Sequence, residues 1–382
     1  MALEQRRIVI ISFLLLTALT AVRPHGATAS VEIAVIVAQS GKAEAYGRAA
    51  VQGAQLAADE INRAGGVLKH RIELVVLDNQ SSALHARKAA LTAVDRKVIG
   101  VVGAVWSTHS LAVAPVLQTN QIPMISPGST APEVTQTGDY IFRTCYTDEF
   151  QGELLADFAF KAIGYRHVAV LTNISETYSQ ILAKYFTAHF VNHGGDVIYN
   201  EGYKGNAIDF YNILDPLKKL KPEVVFIPGY TRDSGLIIKQ ARTMNINAVF
   251  LGGDAWETSV MYVARGALQG SFFSTHWHPK VPYRRSTEFI SSFKTIFGDA
   301  PISAYAPLAY DALWLFADAI KRANSLDKQK IRNALAGTTH FNGATGKISF
   351  NDNGDPVNKG ASMLKFDDGQ WHFFKSFESG SK

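Results

Sequence analysis

Ile122-Pro123-Met124-Ile125-Ser126-Pro127-Gly128-Ser129-Thr130 decides how this chain is read. Strand-like apolar residues run into a turn of Pro127 and Gly128, and two hydroxyl residues follow where a helix can begin. A strand that ends in a small-residue turn at a helix N-terminus leaves backbone N–H groups pointing outward, which favours a carboxylate or phosphate.

The same strand–loop–helix unit recurs on both sides. Upstream, Val31–Ala38, Ile72–Leu77 and Val98–Val102 read as strands, and helices are expected over Arg48–Arg63, from Ser81-Ser82 to about Lys97, and over Thr108–Asn120. Downstream, strands are expected at His167–Leu171, Val197–Glu201, Val224–Ile227, Val249–Leu251 and Phe272–Thr275. The helices between and after them fall at Phe150–Ile163, Tyr178–His193, Asp209–Leu220, Ser234–Met244, Arg284–Phe297 and Tyr305–Asn324. Such alternation predicts an α/β protein with parallel sheets, and two series meeting near residue 149 predict two similar lobes. A late hairpin is expected over Gly346–Asp355, turning at Asn353-Gly354.

Composition narrows the function classes. At 382 residues with 47% hydrophobic and 19% charged side chains, the chain can bury cores for two domains. A formal charge of +5 without a basic block argues against a nucleic-acid partner. Residues 1–29 read as a secretory signal, with Arg6 and Arg7, an apolar run Ile8–Val22 and a small-x-small site at Ala27-Thr28-Ala29. The only cysteine, Cys145, lies far from that site, which excludes an acylated lipoprotein anchor and an internal disulfide.

Ligands of open parallel sheets bind outside the carboxyl ends of the strands. The polar or aromatic residues that come first or nearly first after a strand are therefore the candidate site: Tyr46, Ser107, Ser126 to Thr130, Tyr178, Tyr230 and Asp254. Taken singly, Ser107, Thr130 and Asp254 also suit helix capping and the tyrosines suit core edges. No G-x-S-x-G elbow, phosphate loop or acid–base constellation is present, so no catalytic residue is assigned and no enzyme is expected. His276-Trp277-His278 lacks neighbours at metal-ligand spacing; no metal or cofactor is expected, and the segment reads as aromatic packing between lobes.

The loops also resemble a known family. Ile122 to Thr135, Tyr140-Ile-Phe-Arg-Thr144, Gly229-Tyr230, Leu251-Gly-Gly-Asp254 and Ala309-Tyr-Asp-Ala312 together resemble the amino-acid-binding proteins of branched-chain-type ABC importers, periplasmic binding proteins of the first structural type. The resemblance runs in order over nearly the whole chain after residue 29. It implies two Rossmann-like lobes joined by three crossovers, near Tyr146–Glu149, Ser274–His278 and Asn342–Thr345. Lobe one would be 31–148 plus 277–343, and lobe two 149–276 plus 344–382.

The resemblance also implies roles. Ser107, Gly128, Ser129 and Thr130 would hold a ligand carboxylate, and the Gly128 carbonyl, Thr130 and Asp254 a ligand ammonium. Tyr46, Tyr178 and Tyr230 would form aromatic walls, with Trp106, Trp256 and Trp277 as further pocket walls. A glutamate is usual where this chain has Asp254, and a small residue where it has Trp106. The implied function is capture of an amino acid in the periplasm for an ABC permease, by a monomer exported through a cleavable signal. The residues alone leave open an aromatic or aliphatic carboxylate, an amide such as urea, or an exported sensor.

Overall fold

The computed structural model describes residues 29–377; the expected signal therefore lies outside the described residues, save for Ala29. Strands β1 (Ser30–Val37), β2 (Arg71–Asp78), β3 (Gly100–Gly103), β4 (Met124–Ser126) and β5 (Ile141–Arg143) form one parallel sheet in the order β2-β1-β3-β4-β5. Ile33 through Val37 are fully buried in β1, as a strand covered on both faces requires. Helices α1 (Glu44–Arg63), α2 (Ala83–Asp95) and α3 (Ser107–Thr119) connect these strands.

After β5 the chain enters α4 (Asp148–Asp157), which packs against α5 (Thr177–Asn192) beside the second sheet. That sheet contains β6 (His167–Asn173), β7 (Asp196–Tyr203), β8 (Val224–Ile227), β9 (Val249–Gly252) and β10 (Phe272–Thr275). The chain order reverses between β1 and β3 in the first sheet and between β6 and β8 in the second, so each sheet opens a crevice at its strand ends. The single helix expected over Asp209–Leu220 is two short turns, α6 (Tyr211–Leu214) and α7 (Leu217–Leu220), interrupted at Pro216, which has no N–H to continue the ladder. Next come α8 (Thr231–Thr243) and α9 (Val260–Ala264), around β9.

From β10 the chain returns to the first sheet. Helices α10 (Arg284–Phe297), α11 (Tyr305–Ala323) and α12 (Lys328–Ala336) follow, and α11 packs along α1 and against β3 and β4. The approach of α1 to α11 is close enough that a Cβ on Gly53 would lie 1.9 Å from the Ala306 carbonyl oxygen, so glycine is required there. Strands β11 (Phe341–Gly343) and β12 (Gly346–Ile348) pair as a small ribbon.

The expected hairpin over Gly346–Asp355 is only partly formed. Asn353-Gly354 does turn, closed by the Asn351 N–H on the Asp355 carbonyl and a single Phe350–Pro356 bridge. The long antiparallel hairpin is later: β13 (Ala361–Asp367) and β14 (Gln370–Phe377), joined at Asp368-Gly369, extend the second sheet beyond β10. Gly354 and Asp355 still pack on β5, where the Arg143 N–H donates to the Gly354 carbonyl. We therefore place the return to the second sheet at residues 357–360 rather than at Asn342–Thr345.

Candidate functional site

The two crevices face each other, and helix N-termini from both sides converge there. Ser107, Tyr178 and Tyr230 lie at the starts of α3, α5 and α8; the N-cap residues of α3 and α5, Trp106 and Glu176, give no side-chain cap, and the Thr177 N–H that opens α5 donates to Thr108 Oγ1 across the cleft at 3.3 Å. Tyr46 sits inside the first turn of α1, because that helix begins at Glu44, earlier than expected. Its hydroxyl donates to the Ala255 carbonyl at 2.7 Å and accepts the Thr231 N–H at 3.1 Å, tying the first lobe to the second.

The loop 126–130 is built inward from its own side chains. Ser126 Oγ donates to the Ala104 carbonyl at 2.7 Å and accepts the Ser129 N–H at 3.0 Å. Gly128 is needed because a Cβ there would come within 2.6 Å of the Tyr305 ring. Ser129 Oγ is within 3.0 Å of the Val105 carbonyl and 2.7 Å of Ser110 Oγ, so this expected ligand group is spent on holding the loop. Arg143, fully buried, donates to the Ser129 carbonyl at 2.6 Å, to the Ala131 carbonyl at 2.9 Å and to Thr135 Oγ1 at 2.7 Å, and pairs with Asp355. Its planar fork fixes the turn as a lysine could not. The Cys145 thiol donates to the Ser129 carbonyl, and burial pushes it up to about 12, leaving it inert.

Ser107 and Thr130 differ from Ser129. Ser107 Oγ accepts the Ala131 N–H at 3.2 Å, which leaves its hydroxyl proton to donate. Thr130 Oγ1 is buried beside the Asp148 carboxyl without a hydrogen bond of normal geometry. Opposite them, Asp254 opens a short turn after β9 and is buried. Its Oδ2 accepts from His276 Nε2 at 3.0 Å and from the Tyr305 hydroxyl at 2.9 Å, and its Oδ1 accepts from Gln151 Nε2 at 3.0 Å. Burial raises its carboxyl, but the His276 charge and the hydrogen bonds from His276, Tyr305 and Gln151 outweigh that and hold it below the ordinary carboxylate value.

Sequence reasoning missed four groups that the fold brings here: Asp148, Gln151, His276 and Tyr305. Asp148 and Gln151 share a face of α4 at i and i+3, and the Asp148 N–H is tied to the Thr130 carbonyl at 2.8 Å. Both Asp148 carboxyl oxygens are buried without a hydrogen bond of normal geometry. Burial first, and then the charge of Asp254, push this carboxyl well above its ordinary value; Thr130 and Arg143 pull the other way. His276 belongs to a segment expected only to pack, and its ring does lie 3.9 Å from that of Tyr146. The available signal was spacing: Asp148 and Gln151 flank the expected start of a helix at a crossover, and Tyr305 begins another.

The raised Asp148 fixes a sign. The folded state keeps a proton that the unfolded chain releases, so stability is greatest below the unfolded carboxyl value of about 3.9 and falls as pH rises toward the folded one. Asp148→Asn removes this slope, which amounts to about 1.4 kcal/mol for each pH unit crossed. Urea midpoints should show the variant more stable than the parent at pH 7, with the gap closing toward pH 4. A gap that widens toward pH 4 contradicts the assignment.

Aromatic side chains close the cleft. Trp106 stacks on Tyr230 with ring centroids 3.6 Å apart, Tyr46 meets Trp106, Tyr230 and Tyr305 edge-on, and Tyr178 lies 5.4 Å from Tyr230. The Tyr178 hydroxyl accepts the Ala255 N–H at 3.4 Å. Two expected pocket walls are elsewhere. Trp256 is fully buried in the core of the second lobe with Phe250 and Phe273, and its Nε1 donates to the Ile227 carbonyl at 2.9 Å. Trp277 packs edge-on to Phe289 of α10 and donates to Ser286 Oγ at 2.8 Å, so it anchors that helix. Both found apolar volume and an acceptor inside a core, which a tryptophan prefers to a solvent-reachable wall.

A family model described as periplasmic binding protein matches residues 30–370. The Leu/Ile/Val-binding protein BraC3 of Rhizobium johnstonii is 29% identical over 348 residues, covering 90% of this chain and 94% of its own length. Among solved structures, the leucine binding protein LivK from Thermotoga maritima is 34% identical with a TM-score of 0.87, covering 91% of this chain and 98% of its own. The branched-chain amino acid transporter substrate binding protein LivJ from Streptococcus pneumoniae, in complex with isoleucine, is 29% identical with a TM-score of 0.85, covering 91% and 99%.

Proposed function

The chain belongs to the periplasmic binding protein family, and from that premise we propose that it is the substrate-binding component of an ABC importer. It captures an amino acid between its lobes and delivers it to a membrane permease. One observation carries the amino-acid reading: a hydroxyl-rich helix-start loop on one lobe opposes a buried, ionised carboxylate on the other. Ser107, Thr130 and the N–H groups of their loops take the ligand carboxylate, and Asp254 takes the ammonium. Its Oδ1 accepts a single hydrogen bond, from Gln151, and has a lone pair left for an ammonium N–H. A zwitterion loses water at both ends on entry, and charge-assisted bonds replace it. Tyr46, Tyr178 and Tyr230 enclose the rest. The named relatives, and the isoleucine held by LivJ, support this ligand class. Closure draws its energy from contacts made only when the lobes meet. Export through a cleavable signal in 1–29 to the periplasm, and function as a monomer, complete the reading.

A thermal-shift panel of amino acids, aromatic acids and amides tests it. A ligand at 100 times its Kd stabilises by about 2.7 kcal/mol. At least one free amino acid should raise the melting temperature. If only carboxylates without an amine do so, the amino-acid reading fails.

A further inference from the structure

The Trp106–Tyr230 stack carries information about the far end of the ligand. The two rings come from opposite lobes, lie 19° from parallel and are nearly inaccessible, at 4% and 6% exposure. Yet the Trp106 indole N–H and the Tyr230 hydroxyl are both buried without a hydrogen-bond partner. An indole N–H can only donate, and a buried donor without an acceptor costs more than the hydrogen bond it would make. Two such groups on one stack point to the same absent acceptor.

The groups around the stack have partners of their own. Both residues line a groove of about 480 Å³ together with Lys42, Asn173, Arg232 and Asp233. The carboxylates nearby are already engaged. Asp233 accepts from the Tyr203 hydroxyl at 2.6 Å, from Asn173 Nδ2 at 3.1 Å and from the Tyr230 N–H at 3.1 Å. Glu176 pairs with Lys42 and accepts from Thr108 Oγ1 at 3.0 Å. Lys42 itself lies 5.2 Å from the Trp106 ring centroid, so the groove is rich in donors beside an aromatic wall. Trp106 directly precedes Ser107, so the stack adjoins the loop proposed to hold the ligand carboxylate.

Resting on the amino-acid reading above, we propose that the ligand's side chain ends in a hydrogen-bond acceptor, a carboxamide or a carboxylate, received by the Trp106 N–H and the Tyr230 hydroxyl. The site is then built for a glutamine- or glutamate-like amino acid. An aliphatic side chain leaves both donors buried against hydrocarbon, and sites made to hydrogen-bond a ligand group discriminate strongly against ligands that lack it.

Calorimetric titration of the purified protein with leucine, glutamine and glutamate tests this directly. Glutamine or glutamate should bind at least roughly tenfold more tightly than leucine, and which of the two leads identifies the amide or the acid as the group received. Trp106→Phe keeps a ring in the stack and removes the N–H; Tyr230→Phe removes only the hydroxyl. Each should lower the ratio of polar-ligand to leucine affinity by roughly tenfold. Leucine binding more tightly than both polar ligands overturns the proposal while leaving the amino-acid reading intact, as does an unchanged ratio in both variants. Failure of every amino acid to bind instead overturns the amino-acid reading on which it rests.

Discussion

Asp254→Ala should cost an amino-acid ligand about 2–5 kcal/mol, roughly 30- to 5,000-fold in Kd, because it truncates one side of a desolvated charge pair. The carboxylate is held ready by His276, Tyr305 and Gln151, so its position is paid for in the fold and not at the moment of binding. The comparison that isolates its role is with the same ligand lacking its amine. Calorimetry should show the des-amino analogue binding weakly to both proteins with nearly the same affinity. Equal losses for the two ligands would remove the ammonium assignment and leave Asp254 as a structural hub. The melting temperature of the variant should also fall, since three donors lose their shared acceptor.

Asp311→Ala should destabilise the protein by about 3–5 kcal/mol. Asp311 is fully buried on α11 and accepts the Ala344 N–H at 2.6 Å, the Thr345 N–H at 2.8 Å and the Thr345 hydroxyl at 2.5 Å. Lys359, also buried, donates to the same Thr345 hydroxyl, and burial lowers its amine to about 8 against the opposing pull of Asp311. Truncation leaves backbone donors and a buried cation without their acceptor. Urea unfolding should show the full loss in Asp311→Ala and a smaller one in Asp311→Asn, which keeps an acceptor oxygen. A change below about 1 kcal/mol contradicts this account, because that is the range of an ordinary single hydrogen bond.

The element pattern was legible because it is local. The apolar runs of β1 and β8, and the glycine stops at Gly65-Gly66 and Gly194-Gly195, announce themselves within a few residues. Ser107, Thr130, Tyr178 and Tyr230 stand among the first polar or aromatic groups after a strand, which is what made them candidates. What stayed hidden depends on distance in the chain. Tyr305 reaches Asp254 only when the lobes are assembled, and His276 only when β10 pairs with β9; nothing near either residue marks those meetings. Asp148 carries no motif; its role follows from burial beside Thr130. The tryptophans show the converse error, since size and aromaticity suit a pocket wall and a core equally, and only the acceptors at Ile227 and Ser286 decide. Asp311, one letter in a weak four-residue resemblance, owes its importance to backbone N–H groups more than thirty residues later.

The long reach between α1 and α11 governs how the chain acquires its structure. Sheet one cannot be covered by its own segment, because the helix that lies against Gly53 begins only at Tyr305. Pairings so distant in sequence make collapse slow, since loop closure must precede the contacts that reward it. A nascent chain therefore carries an uncovered apolar face until most of its length exists. Productive folding of the first lobe therefore waits until α11 is available.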